Sequence, residues 1–275
     1  MRIRLILTFA LAVQSCLGQD LPPGQLAELG GVRIWYRDSG GTGVPVIFLH
    51  AASGNSAMWE HQIQPFVAAG FRFIAYDRRG HGRSVAVDGP ERGSLARDLE
   101  LLVKRLNLDR IHLVGTAAGG GVAFDYALSF PQRLRSLVIA NSLGGVTDPG
   151  YVAMGRRLRP APQFDALPVE FRELGPAYRA ANPEGVARWT GLSRSGSQPA
   201  GPLNRITFSA LEGIKAPVLL ITGDADLYTP PPVLKMFAQR IKGASSLIVP
   251  ECGHSAYWER PDIFNRAVLD FVRRH

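Results

Sequence analysis

The sequence predicts an α/β fold, with a mostly parallel twisted sheet, helices on both faces and a helical segment inserted between two strands. Three observations support this prediction. Short continuous apolar runs, typical of strands buried on both faces, alternate with helical stretches along the chain. Glycine-rich turns or polar side chains follow several of these runs. One long region, at about residues 146–205, interrupts the alternation.

The predicted elements follow one another in a regular order. After a proline-containing link, the stretch QLAELGGVRIWYRDSG is typical of a hairpin of two half-buried strands. Later strands are predicted at VPVIFLH, FRFIAYD, RIHLVGT, RSLVIAN, APVLLITGD and SSLIVPE. Helices are predicted from Ala57 onwards and at about residues 94–106, 118–129 and 261–274. Strands that alternate with helices of this length are typical of a parallel sheet covered on both faces.

The interrupting region contains several helical pieces broken by proline and glycine, and it has no strong strand pattern. It lies between two predicted strands, so we interpret residues 146–205 as a helical cap over the carboxyl edge of the sheet. Ligands bind at that edge in open parallel sheets. A cap there would form a substrate pocket and exclude water from it.

The start of the chain is typical of a secretory signal peptide. Arg2 and Arg4 precede an apolar run at residues 5–13, and cleavage is expected after Gly18. One alternative is a buried first strand or helix. Another is a lipid-anchored form, because VQSC, which ends at Cys16, is a weak match to a lipoprotein signal. We therefore predict an exported protein, with residues 1–18 as the signal peptide and residues 19–275 as the domain.

Composition narrows the classes of function. The chain has 275 residues and a formal net charge of +8, but its arginines are scattered, so no nucleic-acid partner is expected. No internal apolar run is long enough for a membrane span. The sequence has neither a spaced Cys/His set nor a dinucleotide motif, and Cys252 would be the one cysteine of the mature chain. We therefore predict a small-molecule substrate, no metal and no cofactor, and make no prediction of the oligomeric state.

Short motifs fall at the carboxyl ends of the predicted strands. They are LHAASG, YDRRGHGRS, VGTAAGG, and the pair TGDAD and ECGHS. Gly115 and Gly119 frame a turn of the G-x-S-x-G type, whose central position normally carries a serine nucleophile. Here that position is Ala117. Asp226 and His254 follow later strands, which gives the order nucleophile position, acid and base.

These motifs and their order resemble the α/β-hydrolase family over nearly all of the predicted mature chain. Within the family, the sequence is most similar to small cap-bearing esterases, enol-lactonases and carbon–carbon bond hydrolases. The resemblance implies that Asp226 is the catalytic acid and His254 the general base. A buried carboxylate that binds one imidazole nitrogen fixes the tautomer and leaves the other nitrogen facing the pocket. Asp224 remains an alternative acid, and a structural role remains the alternative for His254.

The resemblance also implies an oxyanion hole made of two backbone N–H groups. One is expected from Ala118, where the amino terminus of a helix adds its dipole. The other is expected from Ala52, although Ala51 replaces the glycine that is usual in the family. Several matching residues are expected to maintain loops or the fold rather than do chemistry: His50, His81, Asp77, Gly80, Gly82 and Ser84. Two aromatic residues are expected either to line the pocket or to pack in the core: Tyr257 and Trp258.

The alanine at position 117 leaves three hypotheses of function. Removing a serine nucleophile lowers turnover on the order of a millionfold, and neither Thr116 nor Ser53 is an expected substitute. Ala117 is either an inactivating replacement or the natural residue, and the retained signal segment favours the second. The chain is predicted to hydrolyse a small ester, lactone or carbon–carbon bond, through a water activated by His254 if Ala117 is natural. The alternatives are a non-hydrolytic enzyme (a lyase or cofactor-independent oxygenase) in which His254 abstracts a proton, and a catalytically silent binding protein.

Overall fold

The computed structural model describes residues 22–86, 93–158, 162–192 and 200–275, so the predicted signal peptide lies outside the described residues. Within these ranges the strands form one sheet in the order β1-β2-β4-β3-β6-β7-β8-β9, with β5 beside β2. The strands are β1 (Gly24–Glu28), β2 (Val32–Asp38), β3 (Pro45–Leu49), β4 (Arg72–Tyr76), β5 (Val85–Ala86), β6 (Ile111–Thr116), β7 (Leu134–Ala140), β8 (Val218–Gly223) and β9 (Ser245–Val249). The pairs from β4 to β9 along this order are parallel, whereas β2 is antiparallel to β1, β4 and β5. The predicted fold class is confirmed.

Helices cover both faces of the sheet, as predicted. They are α1 (Glu60–Ala68), α2 (Leu95–Arg105), α3 (Ala118–Ser129), α4 (Pro149–Leu158), α5 (Val169–Glu173), α6 (Pro176–Ala181), α7 (Pro183–Leu192), α8 (Phe208–Leu211), α9 (Pro231–Arg240), α10 (Ala256–Glu259) and α11 (Pro261–Val272). Among the described residues, no helix is long and apolar enough to cross a membrane.

The alternation of side chains along each buried strand produces two apolar layers. In β3, Ile47 and Leu49 join the layer that contains residues of α2, α3 and α9. Val46 and Phe48 point to the other face and join the layer that contains residues of α1, α10 and α11. Because successive side chains of a strand point to opposite faces, a continuous apolar run fills both layers at once. The carboxyl ends of the parallel strands are therefore held rigidly at one edge.

Local side chains decide where two helices begin. Ser94 caps α2 by accepting a hydrogen bond from the Arg97 N–H, close to the predicted start. The helix predicted from Ala57 instead begins as a 3-10 turn, Ser56–Trp59, and α1 follows it at Glu60. The Asn55 side chain accepts from the Ala57 N–H at 2.9 Å and so starts the tighter turn.

Helices α4 to α8 all lie between β7 and β8, and α4 to α7 fall within residues 146–205, where the sequence predicts a cap. A 3-10 helix, Pro162–Ala166, separates α4 from α5. Leu174 and Trp189 from this segment are buried in the same layer as Tyr257. The segment is thus packed against the body of the protein, and its function as a cap stays a prediction.

Candidate active site

The predicted acid and the predicted base lie together beyond the ends of β8 and β9. Asp226 lies just beyond β8, and His254 lies in the loop between β9 and α10. The His254 Nδ1 atom is 2.9 Å from both carboxylate oxygens of Asp226. Because a carboxylate accepts, Nδ1 carries the proton of the neutral imidazole, and Nε2 is left as the basic nitrogen. Asp224, the alternative acid, is exposed and accepts instead from the Cys252 N–H at 3.1 Å.

The Asp226 carboxylate is held by further donors. Its Oδ1 accepts from the backbone N–H groups of Tyr228 and Thr229, both at 2.8 Å. Its Oδ2 accepts from the side-chain amide of Asn141 at 3.0 Å. Asn141 follows β7 directly, is fully buried and also donates to the Gly253 carbonyl at 3.1 Å. The sequence analysis missed Asn141, and the available signal was its place at the end of the strand RSLVIAN.

Charge around the pair sets both titrations. Burial has the largest single influence on the pKa of Asp226 and raises it. The imidazole of His254 and the donated hydrogen bonds together lower it by more, so the pKa of Asp226 is below its usual range. Burial is likewise the largest influence on the pKa of His254 and lowers it. The carboxylates of Asp226, Glu173 and Glu259 together outweigh burial, so the pKa of His254 is raised.

The turn between β6 and α3 has a strained backbone. Ala117 has φ +48° and ψ −117°, in a region that residues with a Cβ rarely adopt. Its N–H donates to the Ala140 carbonyl at 3.0 Å, and its carbonyl accepts from the Ser142 hydroxyl at 2.6 Å. Such a conformation costs on the order of 1–3 kcal/mol and persists only where the surroundings enforce it. The sharp turn that normally presents a serine is therefore retained around an alanine.

The two framing glycines are required by close backbone contacts. A Cβ on Gly115 would lie 2.5 Å from the Gly119 carbonyl oxygen. A Cβ on Gly119 would collide with the carbonyl oxygen of Leu49 at the end of β3. The frame of the motif thus packs α3 tightly against β3 and β6. Thr116 is buried beside the turn, so the structure does not expose its hydroxyl.

The two predicted oxyanion donors are exposed at the same edge. Ala118 begins α3, and Ala52 lies in the loop after β3. Within the described residues, no hydrogen bond engages the backbone N–H of either residue. The first N–H groups of a helix have no partner inside it and attract negative charge. Both groups are available for an oxyanion, and that role stays a prediction.

Two histidines hold the loop that carries Ala52 through hydrogen bonds to its backbone. His50 accepts from the Arg78 N–H at 2.9 Å and pairs with the Ala51 carbonyl at 2.7 Å. Burial holds the pKa of His50 well below its usual value, so this imidazole is neutral. His81 lies 3.2 Å from the Ala52 carbonyl. Both histidines occupy the loop-holding positions that the sequence analysis expects.

The remaining motif residues have structural contacts. The Asp77 carboxylate accepts from the N–H groups of Ser56 at 2.7 Å and Arg83 at 2.9 Å. Ser84 donates to the Asp77 carbonyl at 2.6 Å. Gly80 and Gly82 have positive φ, where glycine is favoured. Tyr257 and Trp258 are buried and pack in the core.

A cavity of about 340 Å³ lies against the turn at Ala117 and the His254 imidazole, whereas Ala52 and Asp226 are not among its lining residues. The residues that line it are Ala117, Ala118, Gly121, Asn141, Ser142, Leu143, Gly144, Gly145, Tyr228 and His254. A second cavity of about 460 Å³ adjoins it through Leu143, Gly145 and Tyr228 and is lined by Arg156. The Tyr228 ring lies 4.6 Å from the His254 ring and forms one wall. In the described ranges, no group of three or more His, Cys, Asp or Glu side chains is arranged to hold a metal ion.

Comparisons with known proteins agree with this architecture. The chain is 29% identical to a 2-hydroxy-6-oxononadienedioate/2-hydroxy-6-oxononatrienedioate hydrolase of Paraburkholderia xenovorans, over 88% of this chain and 91% of that protein. A thermophilic esterase from Thermogutta terrifontis is similar in structure, with a TM-score of 0.75, 26% identity and coverage of 92% of this chain and 98% of that chain. The enol-lactonase from Burkholderia xenovorans has a TM-score of 0.74, 25% identity and coverage of 90% and 100%. The profile of the alpha/beta hydrolase family matches residues 46–267. The chain therefore belongs to the α/β-hydrolase family.

Proposed function

We propose that the chain is a hydrolase of small lactones or activated carbon–carbon bonds in which His254 activates a water molecule. The observation that carries the proposal is the His254–Asp226 pair, whose imidazole lines the same cavity as Ala117 and Ala118. This arrangement supplies a base and an oxyanion donor but no side-chain nucleophile at the turn. Water is then the nucleophile, and the pair activates it by taking one of its protons.

The proposed reaction has two steps. In the first, His254 Nε2 takes a proton from water, and the oxygen forms a bond to the substrate carbonyl carbon. The backbone N–H groups of Ala118 and Ala52 stabilise the resulting oxyanion. In the second, the carbonyl reforms, the bond to the leaving carbon or oxygen breaks, and the leaving group takes the proton from His254. Each turnover consumes one water and restores the imidazole.

The names of the relatives support the substrate class. They include a hydrolase of a 2-hydroxy-6-oxo dienedioate and an enol-lactonase. The two adjoining cavities, of about 340 and 460 Å³, have room for molecules of that size. Arg156 in the second cavity offers a cation to a substrate carboxylate. We further propose that residues 146–205, with α4 to α7, act as a cap. We also propose that the protein is exported, and amino-terminal sequencing of the mature protein would check this second proposal.

The experiment compares the wild-type protein with His254→Gln on enol-lactones and 2-hydroxy-6-oxo dienoates in ¹⁸O-labelled water. We expect one labelled oxygen in the carboxylate product, and loss of turnover with retained ligand binding in H254Q. His275→Gln, an exposed histidine at the end of the chain, is the matched control and should behave like the wild type. Turnover that survives in H254Q would contradict the proposal.

Ala117 favours a second candidate function, a non-hydrolytic enzyme in which His254 abstracts a proton from the substrate. Such chemistry requires the base and a cavity for the substrate but no nucleophile. The same experiment separates the two candidates, because a lyase or oxygenase would give a product without oxygen from water. A protein that binds these ligands and converts none of them would be a binding protein.

A further inference from the structure

Glu173 connects the helical segment to two loops of the candidate site. It is the last residue of α5, and its carboxylate accepts from the Ser53 hydroxyl at 2.8 Å. Its backbone carbonyl accepts from the His254 N–H at 2.8 Å. Ser53 follows Ala52, so the hydrogen bond from Ser53 ends on the oxyanion loop. One residue is thereby attached both to the predicted oxyanion loop and to the loop that carries the base.

The backbone after Glu173 is fixed by close packing. A Cβ on Gly175 would lie 2.7 Å from the Gly253 nitrogen, so the backbone segments around these two residues approach at a distance that only glycine allows. The Glu259 carboxylate accepts from the Gly175 N–H at 2.7 Å and from the Gly253 N–H at 3.0 Å. Leu174, between these contacts, is buried in the core. The position of Glu173 relative to His254 is therefore rigid.

The carboxylate of Glu173 acts electrostatically on the base. The charged groups around its carboxylate are His254, Arg172 and Asp226. Burial raises the pKa of Glu173, and His254, the Ser53 hydroxyl and Arg172 oppose this effect only in part. The carboxylates that raise the pKa of the His254 imidazole are Asp226, Glu173 and Glu259, and the Tyr228 ring packs against it. Two of these carboxylates make other hydrogen bonds: Asp226 accepts from Nδ1 of His254, and Glu259 accepts from backbone N–H groups.

We propose that Glu173 is a positioning residue of this site, which fixes the oxyanion loop through Ser53 and stabilises the protonated His254 with its negative charge. The inference rests on the proposed hydrolytic function. The proton that His254 takes from water stays on the imidazole until the leaving group accepts it, and the Glu173 carboxylate lowers the energy of that intermediate charge. Part of the negative charge that acts on His254 thus comes from the helical segment rather than from the edge of the sheet.

The test uses two substitutions that separate the two roles. Glu173→Gln keeps an oxygen that accepts from Ser53 but removes the charge, so the acid limb of the pH–rate profile should move to lower pH by about half a unit or more. Ser53→Ala keeps the carboxyl group but removes the hydrogen bond, so kcat should fall by about tenfold. Because loss of the hydroxyl also raises the pKa of Glu173, the midpoint should move less than in Glu173→Gln. Glu170→Gln is the matched control on the same helix and should change neither quantity.

The titration of the His254 imidazole is also followed by NMR, with His254→Gln to assign its signals. This readout requires no turnover, so it separates failure of the present proposal from failure of the proposed function. A lower His254 midpoint in Glu173→Gln supports the proposal even in a protein without hydrolytic activity. If Glu173→Gln does not fold, Glu173→Asp, which displaces the charge, should give a smaller shift in the same direction.

Two results would overturn the proposal. One is a His254 midpoint in Glu173→Gln equal to that of Glu170→Gln. The other is an acyl group on Ser53, detected by mass spectrometry after rapid quenching, together with complete loss of turnover in Ser53→Ala. The second result would make Ser53 a nucleophile and Glu173 its partner.

Discussion

Two parts of the candidate site face the same cavity but differ in completeness. Around Asp226, the carboxylate binds His254, Asn141 and two backbone N–H groups. At the turn between β6 and α3, the backbone geometry is present, but the central residue is Ala117 and offers no hydroxyl. The same edge of the sheet thus carries a fully hydrogen-bonded Asp226–His254 pair, the predicted acid and base, and a turn that offers no side-chain hydroxyl at its centre.

The difference teaches which chemistry the site retains. The turn at Ala117 is strained, and the hydrogen bonds of Ala117 with Ser142 and Ala140 hold it in place. The close packing of Gly119 against β3, which leaves no room for a Cβ, fixes the start of α3. These features keep the Ala118 N–H at the cavity wall, where an oxyanion would need it. A turn of this shape therefore remains useful for binding a developing negative charge, whether or not it carries a nucleophile.

The largest expected effect comes from completing the turn. Ala117→Ser should raise turnover of short-chain nitrophenyl esters and lactones by about a thousandfold or more, because a serine in an assembled site contributes up to about a millionfold. The introduced hydroxyl would face the cavity that His254 lines. Stopped-flow kinetics should show a burst of nitrophenol as an acyl-enzyme forms.

The double variant Ala117→Ser with His254→Ala is the control for this prediction and should lose the gain. A gain that survives in the double variant would mean that the base does not serve the turn. An unchanged rate in Ala117→Ser, in a protein that still folds, would mean that the cavity is not built for acyl transfer and would favour proton abstraction or ligand binding.

The next effect concerns the complete side of the site. Asp226→Asn should lower kcat by about a hundredfold to a thousandfold, because the amide no longer fixes the proton on Nδ1 of His254. In the wild type, activity should fall with decreasing pH through a midpoint above about 6.5, since the base must be neutral and its pKa is raised. The substitution should move this midpoint to lower pH, as the attraction of the carboxylate is lost.

Asp224→Asn is the matched control, since it removes a carboxylate two residues away that accepts only from a backbone N–H within the described structure. It should leave kcat within about twofold of the wild type. Circular dichroism and thermal melting would show that both variants fold. Equal losses in the two variants would contradict the assignment of Asp226 as the acid.

The strands and the helix that frame the candidate site were predicted from the sequence. Apolar runs bounded by turn residues predicted each parallel strand to within about two residues, as for β3 and β8. The helix at residues 118–129 was predicted with its observed bounds. These elements depend on local periodicity and on the motif glycines, where a Cβ would collide with neighbouring backbone.

The parts that depend on distant contacts could not be read in this way. Asn141 reaches Asp226 across 85 positions of the chain, and Glu173 reaches Ser53 across 120. No periodicity or spacing indicates such pairs, because only the folded chain brings them together. The two-residue strand β5 was missed for the same reason, since its pairing with β2 is its sole defining feature.

The smallest expected effect tests one of those distant contacts. Asn141 has φ +47°, so Asn141→Gly removes the side chain without adding backbone strain. The Asp226 carboxylate loses one donor at 3.0 Å, and kcat should fall by about tenfold, as expected for one hydrogen bond to a charged group. Asn107→Gly is the matched control, because Asn107 has φ +53° and is exposed in the loop between α2 and β6. A loss in Asn141→Gly no greater than in Asn107→Gly would show that the other donors to Asp226, which are the two backbone N–H groups, the Thr222 hydroxyl and the His254 imidazole, orient the carboxylate without Asn141.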